Sequence, residues 1–285
     1  EDDPETVLPM TIFRQPSGLS PEAENINNLA PNYYPNKARG KTKDEIEVYI
    51  HGRYGVSDYG KPVYARQFKR DKHIGDLKVI PCAPVIIGID PGLSFGAVIF
   101  QIDWSGRLFL LREVVCFDES LETVCDTKIL PLLHKEFTGC PVMAVMDPYG
   151  FTRSSNDMRM AADILRKRKI RCRPAQDNVP DSRVQAVRRL LDSWTPDGPK
   201  LMVDSRCLWT IRGLSSKYLF KKQMNGMYSP TPLKNEYSHV MDALGYAAMY
   251  LLDGFRFEDT DDIGSGVLYS PMQDMAAPID SRTGY

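Results

Sequence analysis

The sequence lacks the features that mark membrane, secreted and zinc-binding proteins. None of its apolar runs approaches the roughly 18 residues of a membrane-spanning helix. The first residues, Glu1-Asp2-Asp3-Pro4-Glu5, have neither the basic start nor the apolar core of a secretion signal. The six cysteines include no C-x-x-C pair, and several lie in apolar stretches. These absences predict a protein that is neither secreted nor membrane-bound and whose thiols stay reduced and buried.

Motifs for nucleotide binding and for nucleophilic catalysis are also missing. Gly40-Lys41-Thr42 resembles the end of a phosphate-binding loop, but that motif requires a glycine where the chain has Pro35. No Ser-His-Asp arrangement and no other Gly-rich nucleotide loop stands out. The formal net charge of -1 excludes a protein that is basic overall, although it does not exclude local basic patches.

The distribution of apolar residues predicts three segments. Residues 1–80 have little periodicity and are rich in Pro, Asn, Gly and Tyr, which predicts a linker or extended arm. Residues 81–255 have a regular pattern of apolar residues. The composition of residues 256–285 predicts an acidic, flexible tail. In the middle segment, three strands joined as hairpins precede alternating helices and strands. This order predicts an α/β fold with a mixed central sheet and helices on both faces.

The middle segment contains nine main predicted elements. Apolar runs predict strands at Val85–Asp90, Ala97–Trp104, Arg107–Phe117 and Pro141–Met146. Helical spacing predicts helices at Leu121–Phe137, Ser155–Lys169, Arg183–Leu191, Arg206–Phe220 and Tyr237–Leu252. Ser238 is the candidate N-cap of the last helix, and Met224–Pro232 is predicted to be a loop.

Two of the predicted strands lead directly into an acid and a turn. Val85–Asp90 is apolar until its last residue, and Pro141–Met146 is followed by Asp147. Either acid alone would most simply cap its turn. Because adjacent parallel strands end at the same edge of a sheet, Asp90 and Asp147 are expected to lie close together. Charge at the end of a buried strand is costly without compensation, so this pair predicts a bound cation or a hydrogen-bond network.

The last predicted helix adds a third acid. Asp242 and His239 are three residues apart and therefore share one face of the helix. Carboxylates that lie close together cannot all stay ionised without a counter-charge, and hard divalent cations with oxygen ligands supply one. Asp90, Asp147 and Asp242 thus predict a site for two metal ions of the kind that cleaves phosphodiesters. Taken alone, Asp242 would be a solvated helix acid and His239 a structural histidine.

Basic residues are concentrated between Arg153 and Arg189. This segment has eleven Lys and Arg against four Asp, an excess of seven positive charges. Such an excess suits a polyanion, because phosphate neutralisation drives much of nucleic-acid binding. An ordinary solvated helix surface is the alternative, and the three acids tip the balance toward DNA. The candidate DNA-binding residues are Arg153, Arg159, Lys167, Arg183, Arg188 and Arg189.

Together these motifs resemble the nuclease domain of the bacteriophage large terminase subunit, a member of the ribonuclease H-like, Holliday-resolvase-like superfamily. Gly88-Ile89-Asp90-Pro91-Gly92 resembles the first catalytic strand of that family, and Val145-Met146-Asp147-Pro148-Tyr149-Gly150 resembles the second. The most specific likeness is His239-Val240-Met241-Asp242-Ala243-Leu244-Gly245-Tyr246, which resembles a closing helix written as acid and His, two variable residues, Asp-Ala-Leu and an aromatic. Ser238 departs from this pattern, since an acid often precedes the His. The resemblance spans about residues 30–252.

This resemblance implies a ribonuclease H-like mixed sheet and an endonuclease that cuts concatemeric double-stranded viral DNA during genome packaging. It implies that Asp90, Asp147 and Asp242 hold two Mg²⁺ or Mn²⁺ ions, with His239 as a further candidate ligand. The implied partners are double-stranded DNA, the portal protein, the small terminase subunit and an ATPase domain of the full-length chain. Residues 1–80 would join that ATPase domain to the nuclease. The implied location is the cytoplasm of the infected bacterial host.

Other interpretations of the same residues stay open at this point. A Holliday-junction-resolvase-like nuclease would use the same acids, but it would not need the long N-terminal segment or the acidic tail. A sugar-kinase-like or actin-like ATPase also has an acid and a Gly turn after its first strand, but it requires a second Gly-rich phosphate loop that the sequence lacks. A DNA-binding or assembly module of the same fold would tolerate replacement of the three acids.

Overall fold

A computed structural model describes residues 15–41, 43–52, 60–92, 94–152, 160–223 and 226–253. The fold divides into two compact units, one before Gly60 and one from Gly60 onward. The predicted tail and the candidate DNA-binding residues Arg153 and Arg159 lie outside the described residues. The division into an arm, a nuclease domain and a tail stays a prediction. Among the described residues, no helix has both the length and the apolar composition to cross a membrane.

The first unit contains short helices. They are a 3-10 turn at Ile26–Asn28, α1 (Tyr33–Ala38) and α2 (Lys43–Tyr49). Ile50, just after α2, is buried, and the Ser17 hydroxyl lies 2.7 Å from Nδ1 of His51.

Strands and helices alternate in the second unit. The strands are β1 (Gly60–Pro62), β2 (Ile74–Gly75), β3 (Val85–Asp90), β4 (Ser94–Ile102), β5 (Leu108–Phe117), β6 (Val142–Met146), β7 (Arg171–Pro174), β8 (Trp194–Thr195), β9 (Gly198–Pro199), β10 (Leu201–Asp204), β11 (Leu219–Lys222) and β12 (Tyr228–Pro232). The α-helices are α3 (Arg70–His73), α4 (Leu121–Val124), α5 (Leu130–Glu136), α6 (Ala161–Lys167), α7 (Pro180–Asp192), α8 (Leu208–Arg212) and α9 (Ser238–Leu252). A 3-10 helix lies at Pro148–Phe151, and π-helical segments continue α4 over Cys125–Ile129 and α8 over Gly213–Lys217.

The second unit is organised around a seven-stranded mixed sheet in the order β2-β10-β5-β4-β3-β6-β7. β3, β4 and β5 are antiparallel neighbours, whereas β6 runs parallel to β3 and β7 runs parallel to β6. β1, β11 and β12 form a separate three-stranded sheet, and β8 pairs with β9. The mixed sheet predicted from the sequence is confirmed.

Helices cover both faces of the large sheet, as predicted. One apolar core joins the sheet to α7, α8 and α9, and a second joins it to α4, α5 and α6. Because side chains alternate along a strand, Ile86 of β3 packs in the first core and Ile87 in the second. By the same alternation Asp90 belongs to the face covered by α9.

Three local predictions are wrong. The helix predicted at Arg206–Phe220 stops at Lys217, because Leu219 and Phe220 pair with β1 as part of β11. The loop predicted at Met224–Pro232 contains β12, whose prolines are tolerated because β12 is the edge strand of its sheet. The residue that precedes the first turn of α9 is Tyr237, so Ser238 is not the N-cap, and its hydroxyl instead accepts a hydrogen bond from the amide of Asn235.

Candidate active site

Asp90 and Asp147 lie at one edge of the large sheet, as their strands predict. β3 and β6 are parallel neighbours, and Ile89 is in register with Met146. Asp90 directly follows Ile89 and Asp147 directly follows Met146, so the two acids come just after a pair of residues that are in register. The parallel pairing of β3 and β6 therefore places the two acids at neighbouring strand ends.

The backbone of helix α9 packs close to the sheet, because two glycines of the sheet have no side chain at the contact. A methyl group on Gly88 would lie 2.2 Å from the carbonyl oxygen of Ala243. A methyl group on Gly96 would lie 2.4 Å from the carbonyl carbon of His239. Both neighbours are backbone atoms, which cannot give way without moving the helix. The glycines of β3 and β4 therefore determine how closely α9 approaches the acids.

One face of α9 presents His239, Asp242 and Tyr246, which are spaced by three and four residues. Nδ1 of His239 lies 2.9 Å from Oδ2 of Asp90. The hydroxyl of Tyr246 donates to Oδ2 of Asp147 over 2.8 Å. A single helix thus contacts both strand-end acids and brings its own acid into the same site.

Asp147 also caps the turn that follows its strand. Its Oδ1 accepts a hydrogen bond of 2.9 Å from the amide of Tyr149, in the first turn of the 3-10 helix Pro148–Phe151. Its Oδ2 is held by Tyr246. Both oxygens are therefore oriented by the protein, while the side chain stays partly open to solvent.

Asp242 is buried, with 1% of its surface exposed, and basic side chains compensate its charge. Its Oδ1 accepts a hydrogen bond of 3.2 Å from the hydroxyl of Tyr218 and lies 3.4 Å from Nη2 of Arg183. Its Oδ2 forms an ion pair with Lys234. Arg183 is buried, whereas Lys234 is exposed, so Asp242 meets one cation from the interior and one from the solvent side.

A buried hydrogen-bond network connects Asp147 with Asp242. Nη1 of Arg183 donates to the hydroxyl of Tyr246 over 3.1 Å and also to Asn178. The Tyr246 hydroxyl lies 2.8 Å from both Asp147 Oδ2 and Asn178 Oδ1. Since a hydroxyl has one proton, it donates to one of these acceptors at a time while it accepts from Arg183. The positions of the two acids are thereby linked.

Burial and neighbouring charges set the ionisation of these groups. Burial raises the pKa of Asp90, the hydrogen bond from His239 opposes this effect, and the negative charge of Asp242 adds to it. Burial lowers the pKa of Arg183, but its acidic and phenolic neighbours, Asp242 foremost, more than offset this, so the guanidinium is a fixed cation. Burial also raises the pKa of Tyr246, which stays a protonated donor at neutral pH.

The acids are suitable ligands for a hard divalent cation, but they are not gathered into a complete set. Asp90 and Asp147 offer carboxylate oxygens on adjacent strands, which is the ligand type that Mg²⁺ and Mn²⁺ prefer. In the ranges that the structure describes, no three Asp, Glu, His or Cys side chains form a group that could hold a metal ion. Oδ2 of Asp242 is occupied by Lys234. Coordination by all three acids therefore requires Lys234 to move away.

The described candidates for DNA binding lie in different environments. Lys167 at the end of α6 and Arg189 in α7 are exposed. Arg188 is half-buried, and its Nη2 donates to the carbonyl of Val63 over 2.9 Å. Arg183 is 4% exposed and bonded into the acid network, so burial keeps its guanidinium from a phosphate at the surface. Among the described candidates, Lys167 and Arg189 are the ones open to a polyanion.

Several residues of the network carry no signal in the sequence. Tyr246 stands in the closing-helix motif as its aromatic, but nothing in the motif indicates its bond to Asp147. Tyr218 and Lys234 precede Asp242 by 24 and 8 residues and lie outside its helix α9, so the spacing within the helix does not relate them to Asp242. Asn178 lies in a short loop before α7. Only the packing of β11, α7 and α9 brings these side chains to the acids.

The chain matches no protein-family model and no curated protein sequence. It is similar to solved structures of phage proteins. The large terminase of a thermophilic bacteriophage, in complex with ADP, has a TM-score of 0.52 and 16% identity, over 80% of this chain and 54% of that chain. Another crystal form of the same large terminase has a TM-score of 0.51 and 15% identity, over 79% and 52% of the two chains. The P22 large terminase nuclease domain has a TM-score of 0.48 and 13% identity, over 66% and 91%.

The chain spans about half the length of the thermophilic phage's large terminase. At 15–16% identity, this similarity concerns the fold. In its fold the chain is therefore similar to phage large terminases, which confirms at that level the resemblance that its motifs predicted.

Proposed function

We propose that the chain is the nuclease part of a phage large terminase, a metal-dependent endonuclease that cuts concatemeric double-stranded DNA during genome packaging. One observation carries this proposal: helix α9 contacts the strand-end acids Asp90 and Asp147 and places its own Asp242 in the same network. Carboxylates grouped in this way are typical of metal-assisted phosphodiester hydrolysis. The similarity in fold to the large terminase of the thermophilic phage supports the same assignment.

In this proposal Asp90, Asp147 and Asp242 hold two Mg²⁺ or Mn²⁺ ions. Such ions, when bound, supply an activated water and stabilise charge on the leaving oxygen. The remaining side chains orient the ligands. His239 orients Asp90 and is a further candidate ligand, and Tyr246 orients Asp147. Arg183 compensates the charge of Asp242 inside the fold.

The described candidates for contact with the substrate are the exposed basic side chains Lys167 and Arg189, which lie on helices that pack against opposite faces of the large sheet. Arg153, Arg159 and Arg188 remain further candidates. Replacing Lys167 or Arg189 by Ala should weaken DNA binding and reduce the slope of log affinity against log salt by about one for each cation removed. An unchanged slope would make both side chains ordinary surface residues.

The further partners in this proposal are the portal protein, the small terminase subunit and an ATPase domain of the full-length chain. The proposed location is the cytoplasm of the infected host. The proposal gives this chain the cutting step, whereas movement of DNA would belong to the ATPase domain.

A plasmid-cleavage assay tests the proposal. Supercoiled plasmid is incubated with Mg²⁺, Mn²⁺ or EDTA and with wild type, Asp90→Asn, Asp147→Asn or the control Asp197→Asn. Asn keeps the shape of Asp but removes the charged ligand, so the first two variants should lose cleavage while folding normally. Asp197 is exposed and outside the acid network, and its variant should cut like wild type. Cleavage in EDTA, or wild-type cleavage by Asp147→Asn, would refute the assignment.

A second candidate function is a DNA-binding or assembly module that has the same fold without the activity. The ion pairs of Asp242 with Arg183 and Lys234 favour this alternative, because they compensate the acid without a metal ion. DNA binding without cleavage in any metal would support it. A resolvase-like nuclease would instead cut four-way junctions in preference to linear duplex.

A further inference from the structure

Lys234, in the loop between β12 and α9, occupies the one side of Asp242 that faces solvent. Oδ1 of Asp242 is enclosed by Tyr218 and Arg183, both of which are buried. Oδ2 is the oxygen that an incoming cation can reach, and it is paired with Lys234. We infer that Lys234 is a metal-loading residue of this site, whose ammonium holds the cation position at Asp242 until a divalent ion displaces it. This inference rests on the proposed function and concerns how the same site takes up its ions.

The two cations beside Asp242 differ in how easily they leave. The Arg183 side chain is 5% exposed and bonds to Asn178 and Tyr246, so its departure would break the buried network. The Lys234 side chain is 67% exposed. A lysine ammonium is a strongly hydrated charge on a flexible stem, and it returns to water at little cost. Lys234 is therefore the displaceable cation of the pair.

The backbone around Lys234 is fixed on both sides. The amide of Leu233 donates to the carbonyl of Leu219 over 2.8 Å. The amide of Asn235 donates to the Ser238 hydroxyl over 2.8 Å. Displacement of the ammonium thus needs a rotation of the Lys234 side chain and no rearrangement of the loop.

The charge of Lys234 reaches a second acid of the site. Burial raises the pKa of Asp90, and Lys234 is among the charges that lower it. The ammonium therefore acts on both Asp90 and Asp242. A divalent cation at this position would offer the same carboxylates twice the charge, which is why it can compete with the ammonium.

This competition predicts unequal loading of the site. Lys234 affects an ion held by Asp90 and Asp147 only through its charge, without occupying a ligand oxygen of that ion. An ion at Asp242 must instead displace the ammonium from Oδ2. The first ion should bind more tightly than the second. Removing the charge of Lys234 should therefore strengthen mainly the weaker binding step.

Mn²⁺ binding without DNA, measured by electron paramagnetic resonance of the free ion, tests the inference. Wild type is compared with Lys234→Met and Lys234→Gln, which remove the charge, and with Lys234→Arg, which keeps it. Lys78→Met removes an equal charge from an exposed lysine outside the acid network and is the control. The neutral variants should bind the weaker Mn²⁺ about tenfold more tightly, while Lys234→Arg and Lys78→Met stay close to wild type. Mn²⁺ should also raise the melting temperature of the neutral variants more than that of wild type.

The outcomes separate this inference from the proposed function. Equal Mn²⁺ affinity in wild type, Lys234→Met and Lys234→Gln, together with loss of Mn²⁺ in Asp147→Asn, would overturn the metal-loading role and leave the nuclease assignment standing. An equal gain in Lys78→Met would also overturn it, because the effect would then be one of net charge. Absence of Mn²⁺ binding in wild type and in every variant would overturn both.

Discussion

Tyr246 connects the acids of the site through a single hydroxyl. It donates to Asp147, lies within hydrogen-bond distance of Asn178 and accepts from the buried Arg183. A buried polar group that loses its partner costs more than the bond itself contributed, because the group that remains stays desolvated. The hydroxyl therefore serves stability and the orientation of Asp147 together.

Tyr246→Phe removes the hydroxyl and keeps the ring, so it measures what the hydroxyl alone contributes to stability and to the orientation of Asp147. We expect the free energy of unfolding to fall by about 1–3 kcal/mol, since Arg183 and Asp147 each lose a partner. We also expect weaker Mn²⁺ binding, since Asp147 is no longer oriented at Oδ2. Urea unfolding and Mn²⁺ titration measure the two effects. Tyr250→Phe is the control on the same helix, because the Tyr250 hydroxyl lies 3.1 Å from the sulfur of Met143, away from the acids. Equal losses in both variants would contradict a special role for Tyr246.

Asp90 is predicted to reduce the stability of the fold at neutral pH. Its pKa is raised from 3.8, chiefly by burial, so the folded protein holds this proton more tightly than the unfolded chain does. Below pH 3.8 the carboxyl is protonated in both states and carries no penalty. The penalty grows as the pH rises above that value and is complete once the folded pKa has been passed.

Asp90→Asn should therefore be more stable than wild type at neutral pH, although it should not cut DNA. The difference in the free energy of unfolding should shrink as the pH falls from about 7 toward about 4. Urea unfolding of both proteins across this range measures it. A difference that stays constant or grows toward acid pH would show that burial of Asp90 does not control its ionisation.

At the level of secondary structure, the site depends on the close approach of α9 to the sheet. Gly96 of β4 faces the backbone of His239. The sheet therefore sets its own distance from the helix that carries His239, Asp242 and Tyr246. Gly96→Ala should push α9 outward and lower the free energy of unfolding by about 1–3 kcal/mol, with loss of Mn²⁺ binding. Gly75→Ala, in β2 of the same sheet, meets the flexible ends of Met202 at 3.3 Å and of Leu77 at 3.7 Å, and it should change both quantities much less. Equal effects of the two substitutions would show that the contact between Gly96 and α9 does not control the site.

Strong apolar periodicity made some elements predictable and others not. The strand before Asp90, the strand before Asp147 and the long helix α9 are confirmed because each carries its own apolar pattern. β12 has two prolines and looks like a loop in sequence, yet it pairs with β11 at the edge of a small sheet. Its strand character comes from that pairing, which no local propensity encodes.

At the scale of the whole molecule, the acids of the site were predictable and their partners were not. Asp90 is marked by the apolar strand that it ends, Asp147 by the apolar strand that it follows, and Asp242 by the motif of its helix. Arg183 looks like one member of a basic stretch, but the fold buries it against Asp242. Lys234 looks like an ordinary loop lysine. Such pairings arise only after β11, α7 and α9 have packed, so the sequence pattern does not contain them.

A crystal structure of the chain soaked in Mn²⁺, with the ion located by its anomalous scattering, shows directly whether Asp90, Asp147 and Asp242 bind metal. We expect one Mn²⁺ bound by Asp90 and Asp147, and, at higher concentration, a second ion at Asp242 with Lys234 turned away from Oδ2. A crystal that takes up Mn²⁺ elsewhere, or none at these acids, while Lys234 stays on Asp242, would contradict the assignment of this site as a metal-dependent nuclease centre.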